Sequence, residues 1–104
     1  MFYTYIIGCK DGSLYTGYTT DIKRRIEEHK KGINSKYTRA RGFSELKALF
    51  LTSSKSMAMK LEYSIKKLDR NKKLLVIDDP KILEKYLDST LEYTICDLSD
   101  LSDI

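Results

Sequence analysis

"FYTYIIGCKDGSLYTGYT" occupies residues Phe2 to Thr19 and decides the fold. "FYTYIIGC" is rich in aromatic and β-branched residues and predicts a strand; "SLYTGYT" predicts a second, and "KDG" turns the chain between them. The register depends on the turn. A two-residue Asp11-Gly12 turn pairs Tyr5 with Tyr18 and puts Tyr15 on the other face. A three-residue Lys10-Asp11-Gly12 loop with Gly12 left-handed pairs Tyr5 with Gly17 and Ile7 with Tyr15. Only the second places Tyr5 and Tyr15 on one face, and the missing side chain of Gly17 then leaves room beside Tyr5.

Downstream, "DIKRRIEEHKK" predicts a helix from about Asp21 to Lys31, with Thr19 or Thr20 as N-cap and Gly32 as the stop. Ile22, Arg25, Ile26 and His29 have the spacing of a core-facing stripe, so an arginine and a histidine stand where apolar residues are expected. "GINSKYTRARGF" shows no periodicity and is expected to be a basic loop. "LKALFLT", Leu46 to Thr52, predicts a third strand. A second long helix, capped by Ser54 or Ser56, is expected to reach about Arg70, with Ala58, Leu61, Glu62, Ile65 and Leu68 on its stripe. "LLVI", Leu74 to Ile77, is read as a short strand or buried connector. Pro80 opens a third short helix, about 80–87. The segment after it is either a loose tail or an element packing through Leu91, Tyr93 and Ile95.

Composition bounds the function. The chain has 104 residues, 41% hydrophobic and 33% charged, which fits one globular domain able to bury a core without staples. No stretch approaches the roughly 18 apolar residues of a membrane span, and no basic region precedes the N-terminal apolar run as in a signal peptide. Cys9 and Cys96 are too few for a disulfide framework and lack metal-site spacing, so a cytoplasmic protein with reduced thiols is expected. Charge is uneven. Residues 1–77 hold 17 Lys and Arg against 7 Asp and Glu, a net +10, whereas residues 78–104 hold 2 against 8, a net −6. The basic body suggests a polyanionic partner, nucleic acid first. The acidic tail is expected to fold back on it and compete with nucleic acid.

Glu62 repeats the oddity of the first helix, because unpaired burial of a carboxylate costs several kcal/mol or more. Arg25 and Glu62 either form a salt bridge, reach water at a stripe edge, or line one polar cleft with Tyr5, Tyr15 and His29. Such a set suits phosphodiester hydrolysis. A carboxylate can hold Mg²⁺ or Mn²⁺, an arginine fork matches phosphate geometry, a tyrosine with a lowered pKa can order or deprotonate water, and His29 can relay a proton. No Gly-rich phosphate loop or zinc pattern offers another chemistry.

"YTY" (Tyr3 to Tyr5), "YTG" (Tyr15 to Gly17), the run "YTGYTTDIKRRIEEH" and Glu62 together resemble the GIY-YIG nuclease superfamily. The pattern is most similar to its small stand-alone single-domain bacterial branch of uncharacterised proteins. The resemblance spans roughly residues 1–77, leaving 78–104 as an acidic extension. It implies an α+β fold, a three-stranded antiparallel sheet flanked by helices. It implies metal-dependent cleavage of one DNA strand, structure-selective and serving DNA repair or processing, with RNA left open as a substrate. The other reading is a catalytically weak or inactive nucleic-acid-binding module on the same scaffold. Active-site roles are implied for Tyr5, Tyr15, Arg25, His29 and Glu62, the last holding the metal, with Gly17 needed for close packing. One tyrosine would be the general base, Tyr5 being favoured. Lys36, Tyr37, Arg39, Arg41, Lys72 and Lys73 are the expected nucleic-acid contacts, and a monomer is the default assembly.

Overall fold

The computed structural model describes residues 1–101; the last three residues of the acidic extension lie outside it. The hairpin forms as the three-residue loop requires. Strand β1 (Phe2–Cys9) pairs antiparallel with β2 (Leu14–Thr19), matching Tyr5 with Gly17 and Ile7 with Tyr15. Gly12 takes φ 85°, open to glycine and strained for side-chain-bearing residues, and the Cys9 N–H donates to the Ser13 carbonyl across the turn. Strand β3 (Phe43–Thr52) pairs with the other side of β1 and begins three residues earlier than its apolar run suggested.

The sheet has four strands, in the order β2-β1-β3-β4, not the expected three. The fourth, β4 (Thr94–Ile95), comes from the acidic extension and pairs Ile95 with Phe50 and Thr94 with Leu51. Two residues leave no periodicity for a sequence reading to detect. The Tyr93 ring meets Phe50 edge-on at 5.7 Å, so of the two readings of the tail, a packed element is observed. This part of the extension sits at the β3 edge, the far side of the sheet from β2, and Cys96, Leu98 and Leu101 after it pack against the cluster of Tyr5, Ile7, Ile22 and Ile26.

Helix α1 (Ile22–Lys31) is capped by Asp21, whose side chain accepts from the Arg24 N–H; Thr19 and Thr20 do not cap it. The Thr19 hydroxyl is engaged with the Asp21 backbone instead. Gly32, at φ 68°, ends the helix as its left-handed cap. The expected basic loop contains a helix, α2 (Lys36–Arg41), capped by Ser35; six residues are too few to reveal a periodicity. The expected long helix is two. Helix α3 (Lys55–Lys66) starts at Ser54, and the Asp69 side chain then caps α4 (Arg70–Asp78) by accepting from the Lys72 N–H. "LLVI" is therefore helical, with Val76 buried and Leu74 and Leu75 exposed, and neither strand nor connector. Pro80 does open a helical segment, of 3₁₀ type, from Pro80 to Tyr86.

Alternation along β1 builds a core on each sheet face. Ile6, Ala48 and Phe50 meet Leu61 and Ile65 of α3, Val76 of α4 and Leu83. Tyr5, Ile7 and Leu49 meet Ile22 and Ile26 of α1. Each fully buried aliphatic chain contributes about 1.5–3 kcal/mol relative to exposure. Helices α1 and α3 thus press on opposite faces, and β2 is the free edge between them.

Candidate active site

The register puts Tyr5, Gly17 and Tyr15 beneath α1, where Arg25 and His29 extend the apolar stripe. The Tyr5 hydroxyl lies 2.8 Å from His29 Nε2 and accepts from Arg25 Nε at 3.2 Å. His29 Nδ1 lies 3.1 Å from the Thr38 hydroxyl of α2. Tyr5 and His29 are both 0% exposed. Burial pushes the Tyr5 hydroxyl up to about 12, the Arg25 hydrogen bond and charge offsetting only part of it. Burial, aided by the Arg25 charge, pushes His29 down to about 4. At neutral pH the tyrosine is therefore protonated and the imidazole neutral. Because Arg25 Nε can only donate, the sealed Tyr5 O–H has Nε2 as its acceptor, and that tautomer leaves Nδ1–H to donate to Thr38.

Gly17 is matched to this network. A Cβ there would lie 2.7 Å from the Tyr5 hydroxyl oxygen and 2.9 Å from Cζ, closer than packing allows. Arg25 is held on three sides. Nη1 donates to Glu28 and to the Asn34 carbonyl, both at 3.1 Å, while Nε serves Tyr5. Asn34 takes φ 55°, a left-handed conformation that asparagine tolerates, and its amide donates to Glu28 at 2.8 Å. Asn34 and Arg25 hold the Glu28 carboxyl below the usual carboxylate range.

Of the three arrangements open to Arg25 and Glu62, the salt bridge between them is not formed. Arg25 pairs with Glu28, and Glu62 pairs with Lys66 at 3.5 Å. Glu62 is half-buried on α3, and its charge reaches Tyr5. Lys66 also stands 6.0 Å over the Tyr15 ring and so connects Glu62 to the other tyrosine. Tyr15 is half-exposed, with ring centroids 5.5 Å from His29 and 5.2 Å from Tyr37. Its hydroxyl has no hydrogen-bond partner among the described residues. Tyr5, Tyr15, Arg25, His29 and Glu62 thus converge beside the β2 edge, but only Tyr5 and His29 are sealed from water.

The expected nucleic-acid contacts divide. Tyr37 donates to the Leu14 carbonyl at 3.2 Å, and Arg41 lies 4.7 Å over its ring while pairing with Asp11. Lys73 lies in a groove with Tyr37, whereas Lys72 stands 5.6 Å over Tyr86. Lys36 and Arg39 are exposed on α2. Three partners escaped the sequence reading: Thr38, Asn34 and Lys66. The i,i+4 spacing of Glu62 and Lys66 was a readable signal; Thr38 and Asn34 lay in or beside a segment without pattern. For a metal, Glu62 supplies one hard oxygen donor, and no group of three His, Cys, Asp or Glu side chains gathers among the described residues. No helix is long and apolar enough to cross a membrane.

The chain is similar in sequence to small bacterial proteins. UPF0213 protein BH0048 of Halalkalibacterium halodurans is 55% identical over 71 residues, covering 68% of this chain and 76% of its own. UPF0213 protein CPE1444 of Clostridium perfringens is 46% identical over 85 residues, covering 82% and 91%. The solution NMR structure of UPF0213 protein BH0048 from Bacillus halodurans aligns with 46% identity, 86% of this chain, all of that chain and a TM-score of 0.49. The family model described as the GIY-YIG catalytic domain matches residues 1–74. That span takes in the hairpin, α1 and the helix bearing Glu62, and so the chain belongs to the GIY-YIG family.

Proposed function

We propose that this chain is a divalent-metal-dependent endonuclease hydrolysing DNA phosphodiester bonds, its chemistry carried by residues 1–77. The observation that carries the reading is the meeting of Arg25, Tyr15 and the Glu62–Lys66 pair at one open strand edge, backed by a buried network that fixes Arg25. Glu62 fits Mg²⁺ or Mn²⁺, because such ions are held by one or two carboxylates completed by water and substrate phosphates. When bound, the metal supplies Lewis-acid polarisation of the phosphate and neutralises the leaving oxygen.

The chain's own groups do the rest. Arg25, anchored through Nε and Nη1, keeps its remaining N–H donors for a phosphate oxygen, and fixing the guanidinium beforehand removes most of the ordering cost. Tyr15, accessible and with its hydroxyl unengaged, orders the attacking water. Tyr5 holds its proton and is a positioning residue, keyed between Arg25 and neutral His29. This assignment departs from the sequence-based preference for Tyr5 as base; it is supported by the 0% exposure of the Tyr5 hydroxyl and by burial pushing it up to about 12. The surrounding lysines and arginines suit backbone contacts, which give affinity without base readout. Such contacts are compatible with selection by DNA structure, the role in repair or processing that this proposal includes.

The test is nicking of supercoiled plasmid with Mg²⁺ or Mn²⁺. Wild-type protein should nick, while Glu62→Gln and Arg25→Ala should lose the activity and keep the fold. Full activity in either variant rejects the site. DNA binding without nicks under both metals favours the binding module.

A further inference from the structure

Tyr37 stands between the Tyr15 ring and a groove. One side of its ring meets Tyr15 at 5.2 Å. It also lines a groove of about 230 Å³, shared with Ser13, Leu14, Arg70 and Lys73. The groove opens where β2 begins, between α2 on one sheet face and the first turn of α4 on the other. Arg70 and Lys73 are one helical turn apart and both project into it. Neither is in an ion pair among the described residues, unlike Arg25, Arg41 and Lys66, which already have carboxylate partners. Two cations facing one hollow repel each other, so the geometry favours an anion between them. The Tyr37 hydroxyl is spent on the Leu14 carbonyl, which fixes the groove's wall.

We propose that this groove is a second phosphate site, in which Arg70 and Lys73 hold a DNA backbone phosphate on the strand that passes Tyr15. The inference rests on the nuclease reading and adds to it a path for the substrate strand. The strand runs from Glu62 and Lys66 past the Tyr15 and Tyr37 rings to Arg70 and Lys73. An arginine fork beside a lysine suits a phosphodiester with two free oxygens. These contacts fix register along the strand and do not read sequence.

The experiment measures binding of a fluorescein-labelled DNA oligonucleotide by anisotropy in EDTA, so that no cleavage intervenes, across a salt series. Wild type is compared with Arg70→Ala/Lys73→Ala and with Lys81→Ala, an exposed lysine on the β3 side of the molecule. The double variant should bind several-fold more weakly, with a log-affinity against log-salt slope shallower by about 1, as for one lost phosphate contact. Lys81→Ala should match wild type. Oligonucleotides with one neutral methylphosphonate, moved along the strand, add the position. One substitution should weaken wild type and leave the double variant unaffected. Equal losses in the Lys81 variant, or a methylphosphonate effect of the same size in both proteins, overturn the groove assignment while leaving the nuclease reading intact. Wild-type protein that does not bind DNA even in low salt overturns both.

Discussion

His29 makes folding stability depend on acid in a way that can be isolated. It is the only histidine in the chain and is fully buried between Tyr5 and Thr38. Its pKa falls from the usual 6.5 to about 4 on folding. Between those values the unfolded chain binds a proton that the native protein refuses. Stability is therefore complete above pH 6.5 and is lost as pH falls toward 4. The shift corresponds to about 3 kcal/mol over the whole window, and about 2 kcal/mol of it by pH 5. That is a large share of the roughly 5–15 kcal/mol available to a domain. Carboxylates held below their usual range, such as Asp11 and Glu28, also cost stability in acid, but mainly below about pH 5. Urea denaturation of wild type and His29→Gln at pH 7, 6 and 5 separates the contributions. The variant starts less stable at pH 7, and its deficit should shrink by about 2 kcal/mol at pH 5 because it lacks the titrating ring. The His29 Cε1 proton resonance, unambiguous for a single histidine, should titrate near 4. A constant deficit, or a titration near 6.5, refutes the buried neutral imidazole.

Three further outcomes follow from the same geometry. Gly17→Ala places a methyl against the buried Tyr5 ring, which has no free space to move into, and should cost about 1–3 kcal/mol in urea denaturation; an unchanged midpoint contradicts the packing. Tyr5→Phe leaves His29 Nε2 and Arg25 Nε without their partner and should destabilise by about 1–3 kcal/mol, whereas Tyr15→Phe should stay within about 0.5 kcal/mol yet lose nicking. The reverse pattern would return the base role to Tyr5. Truncation after Tyr86 removes β4 and bares Phe50 and the β3 edge, so the product should melt earlier and self-associate in sedimentation velocity; a stable monomer would show that β4 does not protect the edge.

The two hairpin strands were legible in their aromatic and β-branched runs, but their register was not, because the sequence admits a two-residue or a three-residue turn. A three-residue loop with glycine in the left-handed position sets the register, and period-2 alternation then sends Tyr5, Gly17 and Tyr15 to one face. The α1 stripe was legible, since 3.6-residue periodicity puts Arg25 and His29 on the line of Ile22 and Ile26. The break between α3 and α4 was not. Leu68 continues the α3 stripe, and only the Asp69 side chain bonding to the Lys72 N–H shows that a new helix starts. Helix α2 and β4 are too short to carry a period, and their existence depends on Ser35 capping one and Phe50 and Leu51 pairing the other.

The sequence alone showed which residues share a face within one strand or helix, because dihedral periodicity is a local property of the chain; it left open the hairpin turn, and with it whether Tyr5 and Tyr15 share a face. It could not determine depth. Tyr5 and Tyr15 lie on one face in one register, yet Tyr5 is sealed and Tyr15 meets water. The difference comes from α1 crossing the sheet over Tyr5, with α2 bringing Thr38 to His29 behind it, while Tyr15 stays at the β2 edge beside Lys66. Burial turns Tyr5 and His29 into a neutral hydrogen-bonded pair, and exposure leaves Tyr15 to the solvent. That difference is set by desolvation, which only the packed tertiary structure decides.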